Sequence, residues 1–241
     1  MAIKYIFWDS DNTLIDTFAL HWAKHVTTLQ KYGITLDDKY KTKIHHNNGQ
    51  QNWEWLTAEL GLPAPQSQYL SEIDEWYAAN AHRLEFMNGV KEALDYFHDK
   101  GFKQCVVSNG RKSSVLPAHE ALGTEKYFKF ILCKEDYDGR KPDPAPYLAA
   151  IKRMSEIFNV QVSATECLAI EDDPLGVEAA KKAGMTTLFR PTKLVAQTSE
   201  FADYTVTNTQ EFLKSIQIIS PHLNPPPLQG GRSGGGSPSV I

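Results

Sequence analysis

An α/β fold, a parallel sheet with helices on both faces and an all-α four-helix insertion after the first strand, is what the 241-residue sequence predicts. Three observations predict it. Short β-branched or apolar runs alternate with helix-period stretches along most of the chain, the order in which parallel strands and crossover helices follow one another. Between Thr17 and Asn88 the strand-like runs stop and helical patterns alone remain. The polar residues cluster just beyond the carboxyl ends of the strand-like runs, where open parallel sheets carry their working groups.

The first strand is Lys4 to Trp8, and it runs straight into Asp9 and Asp11. Strand side chains alternate, so residues two apart leave the sheet edge on one side and point at the same volume. Two like charges held that close are costly unless one is protonated or a cation sits between them.

Phe18, Trp22, Val26 and Leu29 then step by four, four and three, a helix that Gly33 stops. Thr35, with Asp37 and Asp38 behind it, reads as the N-cap of a second helix carrying Tyr40 and Ile44 on one face. Trp53, Leu56 and Leu60 make a third helix, ended by Gly61 and Pro63; Tyr69, Ile73, Trp76 and Tyr77 make a fourth. Residues 17–88 are therefore expected to form a helical cap domain, and residues 1–16 with 89–222 a Rossmann-like core.

In the core, Asn88 precedes a helix bearing Val90, Leu94 and Phe97, closed by Gly101. Strands are expected at Phe102 to Val107, Phe128 to Leu132, Cys167 to Ile170, Thr186 to Phe189 and Tyr204 to Val206. Asp143 and Pro144 have N-cap and N1 chemistry for a helix carrying Tyr147, Ile151 and Met154. Pro117 leaves the start of the helix within Ser113 to Leu122 open. Asn208 and Glu211 fit a capping box for a last helix with Phe212 and Ile216. Residues 223–241 are rich in Pro, Gly and Ser and read as a flexible low-complexity tail.

A hydrophobic content of 41% supports a real core, and a net charge of -4 without a long basic run gives no electrostatic footprint for nucleic acid. A small molecule is the expected partner; the sequence does not set the oligomeric state. Cys105, Cys133 and Cys167 lie far apart in or beside apolar runs, which predicts buried free thiols in a reducing compartment. No apolar run approaches the span of a bilayer, so a cytoplasmic location with no membrane partner is expected.

Four stations of chemistry stand at the strand ends. The first is Asp9 and Asp11. The second is Val106-Val107-Ser108-Asn109-Gly110, a hydroxyl followed by a turn whose amides can face an anion. The third is Gly139-Arg140-Lys141-Pro142, a cation in a Pro-rich loop, and the fourth is Leu168-Ala169-Ile170-Glu171-Asp172-Asp173, a buried strand delivering three acids. Phosphoryl transfer asks for such parts: an in-line nucleophile, a proton donor for the leaving oxygen, and positive charge around the equatorial oxygens.

The order and spacing of Asp9-Ser10-Asp11-Asn12-Thr13-Leu14, Ser108-Asn109-Gly110, Lys141-Pro142-Asp143-Pro144 and Glu171-Asp172-Asp173-Pro174-Leu175-Gly176 resemble the haloacid dehalogenase superfamily. The likeness is to its phosphatases with a helical cap, of the phosphoglycolate phosphatase and β-phosphoglucomutase kind. The resemblance implies that Asp9 is a nucleophile that becomes an aspartyl phosphate, and that Asp11 protonates the leaving alkoxide and then takes a proton from the attacking water. It implies that Ser108 and Lys141 hold the transferring phosphoryl oxygens. It further implies that Asp172 binds Mg²⁺ with the Asp9 carboxylate and the main-chain carbonyl of Asp11, Glu171 or Asp173 joining directly or through water. Hard oxygen ligands with room for water are what Mg²⁺ prefers. For Asp11 to act as an acid near neutral pH its pKa must rise, and burial under a closed cap beside other acids is expected to raise it. The family usually has Gly after the second acid; Asn12 stands there and tolerates the left-handed backbone that the turn needs.

Further substrate contacts are expected from Asn109 and Gly110, and from His21, one turn into the cap, where members of the β-phosphoglucomutase type carry a His. Asn48, in the loop Asn47-Asn48-Gly49 that resembles the family's specificity loop, and Trp55, which stands off the apolar stripe, are expected to line the substrate. His45 and His46 are neighbours on a helix and diverge, which disfavours a metal pair. The expected function is Mg²⁺-dependent hydrolysis of a small phosphomonoester, phosphoglycolate-like or a sugar phosphate. A sugar phosphomutase is the alternative. A haloacid dehalogenase is disfavoured by the second acid, and a non-catalytic binding protein by the complete acids at the first and fourth stations.

Overall fold

The computed structural model describes residues 2–192 and 198–219. Six parallel strands, β1 (Tyr5–Trp8), β2 (Lys103–Val107), β3 (Phe128–Leu132), β4 (Cys167–Glu171), β5 (Thr186–Phe189) and β6 (Tyr204–Thr205), form one sheet in the order β3-β2-β1-β4-β5-β6. The chain therefore starts in the middle of the sheet and reverses direction of winding beside β1. That reversal opens a crevice at the carboxyl ends of β1, β2 and β4.

Alternation within each strand sorts the two faces. Ile6, Trp8, Val106, Leu168 and Ile170 point to one side, where α5 (Val90–Asp99) and α9 (Thr209–Ile219) cover them with Leu94, Phe97, Phe212 and Ile216. Tyr5, Phe7, Cys105, Val107 and Ala169 point to the other, against Tyr147, Ala150 and Met154 of α7 (Ala145–Phe158) and Ala179 and Ala180 of α8 (Pro174–Lys182). Strands buried on both faces read as continuous apolar runs, as these do. Cys105, Cys133 and Cys167 are buried free thiols, and burial pushes Cys133 and Cys167 up to about 12, so they stay protonated.

Residues between the first and second strands carry α1 (Phe18–Gln30), α2 (Lys41–His46), α3 (Gly49–Leu60) and α4 (Gln66–Asn80), with a core of their own around Leu29, Leu56, Tyr69 and Ile73. The chain enters and leaves this helical insertion side by side: Asp16 N–H donates to the Glu85 carbonyl and Met87 N–H to that of Leu14, both at 2.9 Å. No helix among the described residues is long and apolar enough to cross a membrane.

Several local expectations shift. Asp37, not Thr35, caps the second helical segment, accepting from Lys39 N–H at 2.8 Å; a short 3₁₀ turn at Asp38–Tyr40 precedes α2. The carboxylate reaches the orphan amide two residues ahead from extended backbone, which Thr35 is too far upstream to do. The helix expected from Pro144 starts at Ala145, whose N–H donates to Asp143 Oδ1 at 2.7 Å. Pro117 lies inside α6 (Lys112–Ala121), where it has no N–H to donate back and the helix runs on around it. Asn208 does cap α9 through Glu211 N–H, but the Glu211 carboxylate turns to Thr207 N–H at 3.0 Å instead of completing the box on Asn208. The expected tail at 223–241 and the last residues assigned to the core lie outside the described residues.

Candidate active site

All four stations meet at the carboxyl ends of β1, β2 and β4. A cavity of about 780 Å³ is lined by Asp9, Asp11, Ser108, Lys141, Glu171 and Asp172 among others. Asp9 is the first residue past β1, fixed by its N–H to the Ile170 carbonyl at 3.0 Å. Asn12 adopts φ 58°, the left-handed conformation anticipated for it, and this turn brings Asp11 back over the crevice.

Lys141 is the hub. Its ammonium donates to Asp9 Oδ1 at 2.7 Å, to Glu171 Oε1 at 2.7 Å and to the Val107 carbonyl at 2.8 Å, and its side chain is only 4% exposed. All three ammonium hydrogens are thus used, and the head is pinned between the first, second and fourth stations. Glu171 also accepts a hydrogen bond from the Tyr147 hydroxyl. Gly176 in α8 is required there, because a Cβ at that position would lie 2.2 Å from Glu171 Oε2.

Asp9, Glu171 and Asp172 are buried, and one oxygen of each lies within 4.8 Å of the others. Burial raises all three carboxyls, opposed by Lys141 at Asp9 and Glu171; Glu171 is pushed up to about 8. Asp172 is raised well above the ordinary range by burial and then by the charges of Asp9 and Glu171, with one opposing hydrogen bond from Thr13 Oγ1 at 3.1 Å. Lys141 compensates one charge among three acids. A hard oxygen-only donor set short of positive charge fits a divalent cation such as Mg²⁺.

Asp11 departs from expectation. Burial pushes its carboxyl up, but the His21 hydrogen bond at 3.2 Å, the His21 charge and the nearby Lys24 ammonium outweigh it and hold it at about 2. Cations from α1, invisible in a motif read along the chain, reverse the sign that neighbouring acids alone would give. His21 itself, stacked on Tyr77 at 4.8 Å, is pulled below its ordinary value by burial.

The other expected residues divide. The Ser108 hydroxyl accepts from Gly110 N–H at 2.9 Å, so the two shape one turn at the cavity wall. Asn109 lines the cavity, yet its Oδ1 accepts from Lys141 N–H at 3.2 Å and from the Tyr137 hydroxyl at 3.3 Å, tying the second station to the third. Asn48 caps α3 through Gln51 N–H at 2.9 Å and lines a second, adjoining cavity of about 460 Å³ beneath the insertion, as His21 does. Asp173 caps α8 through Leu175 N–H at 2.8 Å and is not in the close acid group. Trp55 corrects the expectation for it. It is buried in the core of the insertion, its indole N–H donates to Asn52 Oδ1 at 2.9 Å, and it borders neither cavity.

Sequence reasoning missed His119, which is buried beneath the first station. Its Nε2 meets Ser10 Oγ at 3.1 Å and its Nδ1 meets Thr124 Oγ1 at 2.8 Å. Thr124 donates its hydroxyl to the His119 carbonyl, so Nδ1 carries the proton and Nε2 accepts from Ser10. Nothing in a helix pattern singles out this His, because its contact with the first station, through Ser10, crosses 109 positions of the chain. Burial pulls it down to about 4, so it is neutral in the folded chain. The unfolded chain binds a proton there below about pH 6.5, so the contribution is complete above that pH and lost as pH falls toward 4. The stability advantage of the wild type over His119→Gln is expected to shrink by on the order of 3 kcal/mol across that window, followed by urea melts. An advantage that does not change with pH would contradict a neutral buried imidazole.

The family model described as haloacid dehalogenase-like hydrolase matches residues 6–189. The phosphoglycolate phosphatase of Vibrio parahaemolyticus is 27% identical over 196 residues, 76% of this chain and 81% of that protein. The 6-phosphogluconate phosphatase of Escherichia coli is 26% identical over 195 residues, 78% of this chain and 82% of that protein. Among solved structures, CbbY from Rhodobacter sphaeroides in complex with phosphate superposes with a TM-score of 0.76 at 20% identity, covering 87% of this chain and 96% of that one, a likeness of fold.

Proposed function

The chain belongs to the haloacid dehalogenase-like hydrolases, and from that premise we propose that it is a phosphatase, hydrolysing a small phosphomonoester through an aspartyl phosphate on Asp9, with Mg²⁺ as cofactor. The observation that carries this reading is the convergence of Asp9, Lys141, Glu171 and Asp172 on one cavity with Asp11 across from them.

Asp9 and Asp172 would hold the cation, Glu171 lying close enough to join directly or through water. When bound, the cation supplies positive charge that keeps Asp9 ionised and offsets the charge of the phosphoryl group. An Asp9 oxygen attacks phosphorus, the ester P–O bond breaks, and the leaving alkoxide takes a proton from Asp11. Water then attacks the same phosphorus, gives its proton to Asp11, and the acyl phosphate P–O bond breaks to release inorganic phosphate and restore Asp9. Lys141 and the Ser108–Gly110 turn face the transferring oxygens, while the helical insertion acts as a cap that shuts out water.

Because Asp11 is held at about 2 in the free protein, it must acquire a proton as the ester binds. The dianionic ester supplies the negative charge that raises its affinity, at the expense of the His21 contact. Calorimetric titration of a non-hydrolysable phosphonate into protein already saturated with Mg²⁺, at neutral pH in buffers of differing ionisation enthalpy, is expected to show uptake approaching one proton, the protons of the raised Asp9, Glu171 and Asp172 carboxyls having left when the metal bound. Binding without uptake would mean that Asp11 is not the acid.

The direct test is phosphate release from a panel of metabolite esters with and without Mg²⁺. Release that requires the metal supports the reading; no release from any ester overturns it. A sugar phosphomutase is the second reading, favoured by the contact of His21 with the acid/base. A phosphoenzyme that water discharges within seconds marks a phosphatase, and one that persists until a sugar phosphate arrives marks a mutase.

A further inference from the structure

Beneath the insertion, the cavity of about 460 Å³ that adjoins the acid cluster has an unbalanced wall. Lys24, Arg111, Lys134 and Arg140 line it, against Asp11 as its one acid among the described residues. Lys24 is the most informative of them. It projects from α1, is 6% exposed, and its ammonium makes no hydrogen bond or ion pair with any described residue; what it has is the face of Tyr77, 5.1 Å from the ring centre. The stem is buried while the ammonium opens on the cavity, so the charge is held at its wall with no acceptor among the described residues to satisfy it.

The acids that Lys24 senses are already engaged. Asp74 accepts from Arg111 Nη2 at 2.6 Å and from Ser113 Oγ at 2.8 Å, and Asp11 accepts from His21. The buried lysine is therefore left with positive charge and open donors facing the cavity. Arg111, paired with Asp74, opposes it from the start of α6, and the N-terminal turn of α3 brings the Gly49 and Gln50 amides to the same wall, the Asn48 amide being held by Gln51 Oε1 at 2.9 Å. Burial lowers Lys24 to about 8, which leaves it charged at neutral pH and eager for an acceptor.

Position completes the argument. His21 touches Asp11, the group assigned to the leaving oxygen, and Lys24 follows it by three residues on the same helix. Three residues advance a helix by about 4.5 Å, the reach of a leaving group a few atoms long. We propose that Lys24, with Arg111 opposite, forms a subsite for a second anionic group, a carboxylate or a phosphate, carried by the leaving group of the ester. This rests on the phosphatase reading and narrows its substrate class: doubly anionic esters rather than neutral sugar or alcohol phosphates. Since Lys24 belongs to the insertion and Arg111 to the core, the same anion ties the two together over the reacting phosphorus.

The test compares kcat/KM within matched pairs, phosphoglycolate against ethyl phosphate and 6-phosphogluconate against glucose 6-phosphate for the carboxylate, and propane-1,3-diol bisphosphate against 3-hydroxypropyl phosphate for the phosphate. The wild type is expected to favour the doubly anionic member of at least one kind by roughly 10–100-fold, the range of a charge-assisted contact. Lys24→Met is expected to bring that ratio toward one, and Lys24→Arg to retain most of it. Where a variant turns over too slowly, inhibition constants for phosphonoacetate and ethylphosphonate give the same ratio. If Lys24→Met fails to fold, Arg111→Gln is expected to reduce the ratio in its place. Esters cleaved without preference, or a preference that survives both substitutions, would overturn the subsite alone. A panel from which no phosphate is released would instead remove the phosphatase reading beneath it.

Discussion

Asp9→Asn is expected to abolish phosphate release, by about 10⁴-fold or more in kcat, because an amide cannot replace the carboxylate on which the acyl phosphate forms. The same substitution gives up the charge of the 2.7 Å Lys141–Asp9 pair but keeps an amide oxygen to accept from Lys141, and is expected to cost the metal-free protein little or no stability. Burial and the neighbouring Asp11 raise the Asp9 carboxyl, and Asp9 in turn raises Glu171 and Asp172, so removing one acid relieves the others. An active site that costs stability when empty shows this signature. Phosphate release and thermal melts on the same preparation check both halves. A variant that keeps near-normal turnover, or that loses stability in step with activity, would contradict the assignment.

Lys141→Met removes the one cation inside the acid group and, by contrast, is expected to cost stability. Asp9 and Glu171 each lose a 2.7 Å partner while remaining buried, and the Val107 carbonyl loses a donor. Breaking a buried ion pair from one side costs roughly 3–5 kcal/mol. The pH dependence follows from the sign. Lys141 lowers the Glu171 carboxyl, which even so stands at about 8; without Lys141 both acids titrate still higher and are neutral in acid. The loss in melting temperature is therefore expected to be largest above about pH 8 and smaller in acid solution, with turnover depressed throughout. A loss independent of pH would mean that the lysine acts through packing rather than charge.

The fold was legible because each strand that carries a station is an unbroken apolar run ending in a polar residue, and because the helical run from Thr17 interrupts that rhythm. The pocket acids were legible for the same reason: Asp9 and Glu171 are placed by the strand ends and need no distant partner to be recognised. What was not legible came from contacts across the chain. Asp11 stands thirteen residues before Lys24 and ten before His21, yet the charge state of the acid depends on how α1 folds back over the crevice. Trp55 is hidden from a stripe count because a residue off the main stripe of a twelve-residue helix is buried when a neighbouring turn packs over it, as Tyr40 of the 3₁₀ turn does at 5.1 Å. His119 reaches Ser10 and Asn109 reaches Lys141 across more than thirty positions, and no local period signals that.

A crystal structure of the protein grown with Mg²⁺ and beryllofluoride bears most directly on the central claim, because that ion bonds to a nucleophilic carboxylate as a phosphoryl group does. The expected result is continuous density from an Asp9 oxygen to beryllium, with the cation against Asp9 and Asp172 and the fluorines facing Lys141 and Ser108. Beryllofluoride seated in the cavity but unbonded to Asp9, or a cation bound away from Asp172, would contradict the account.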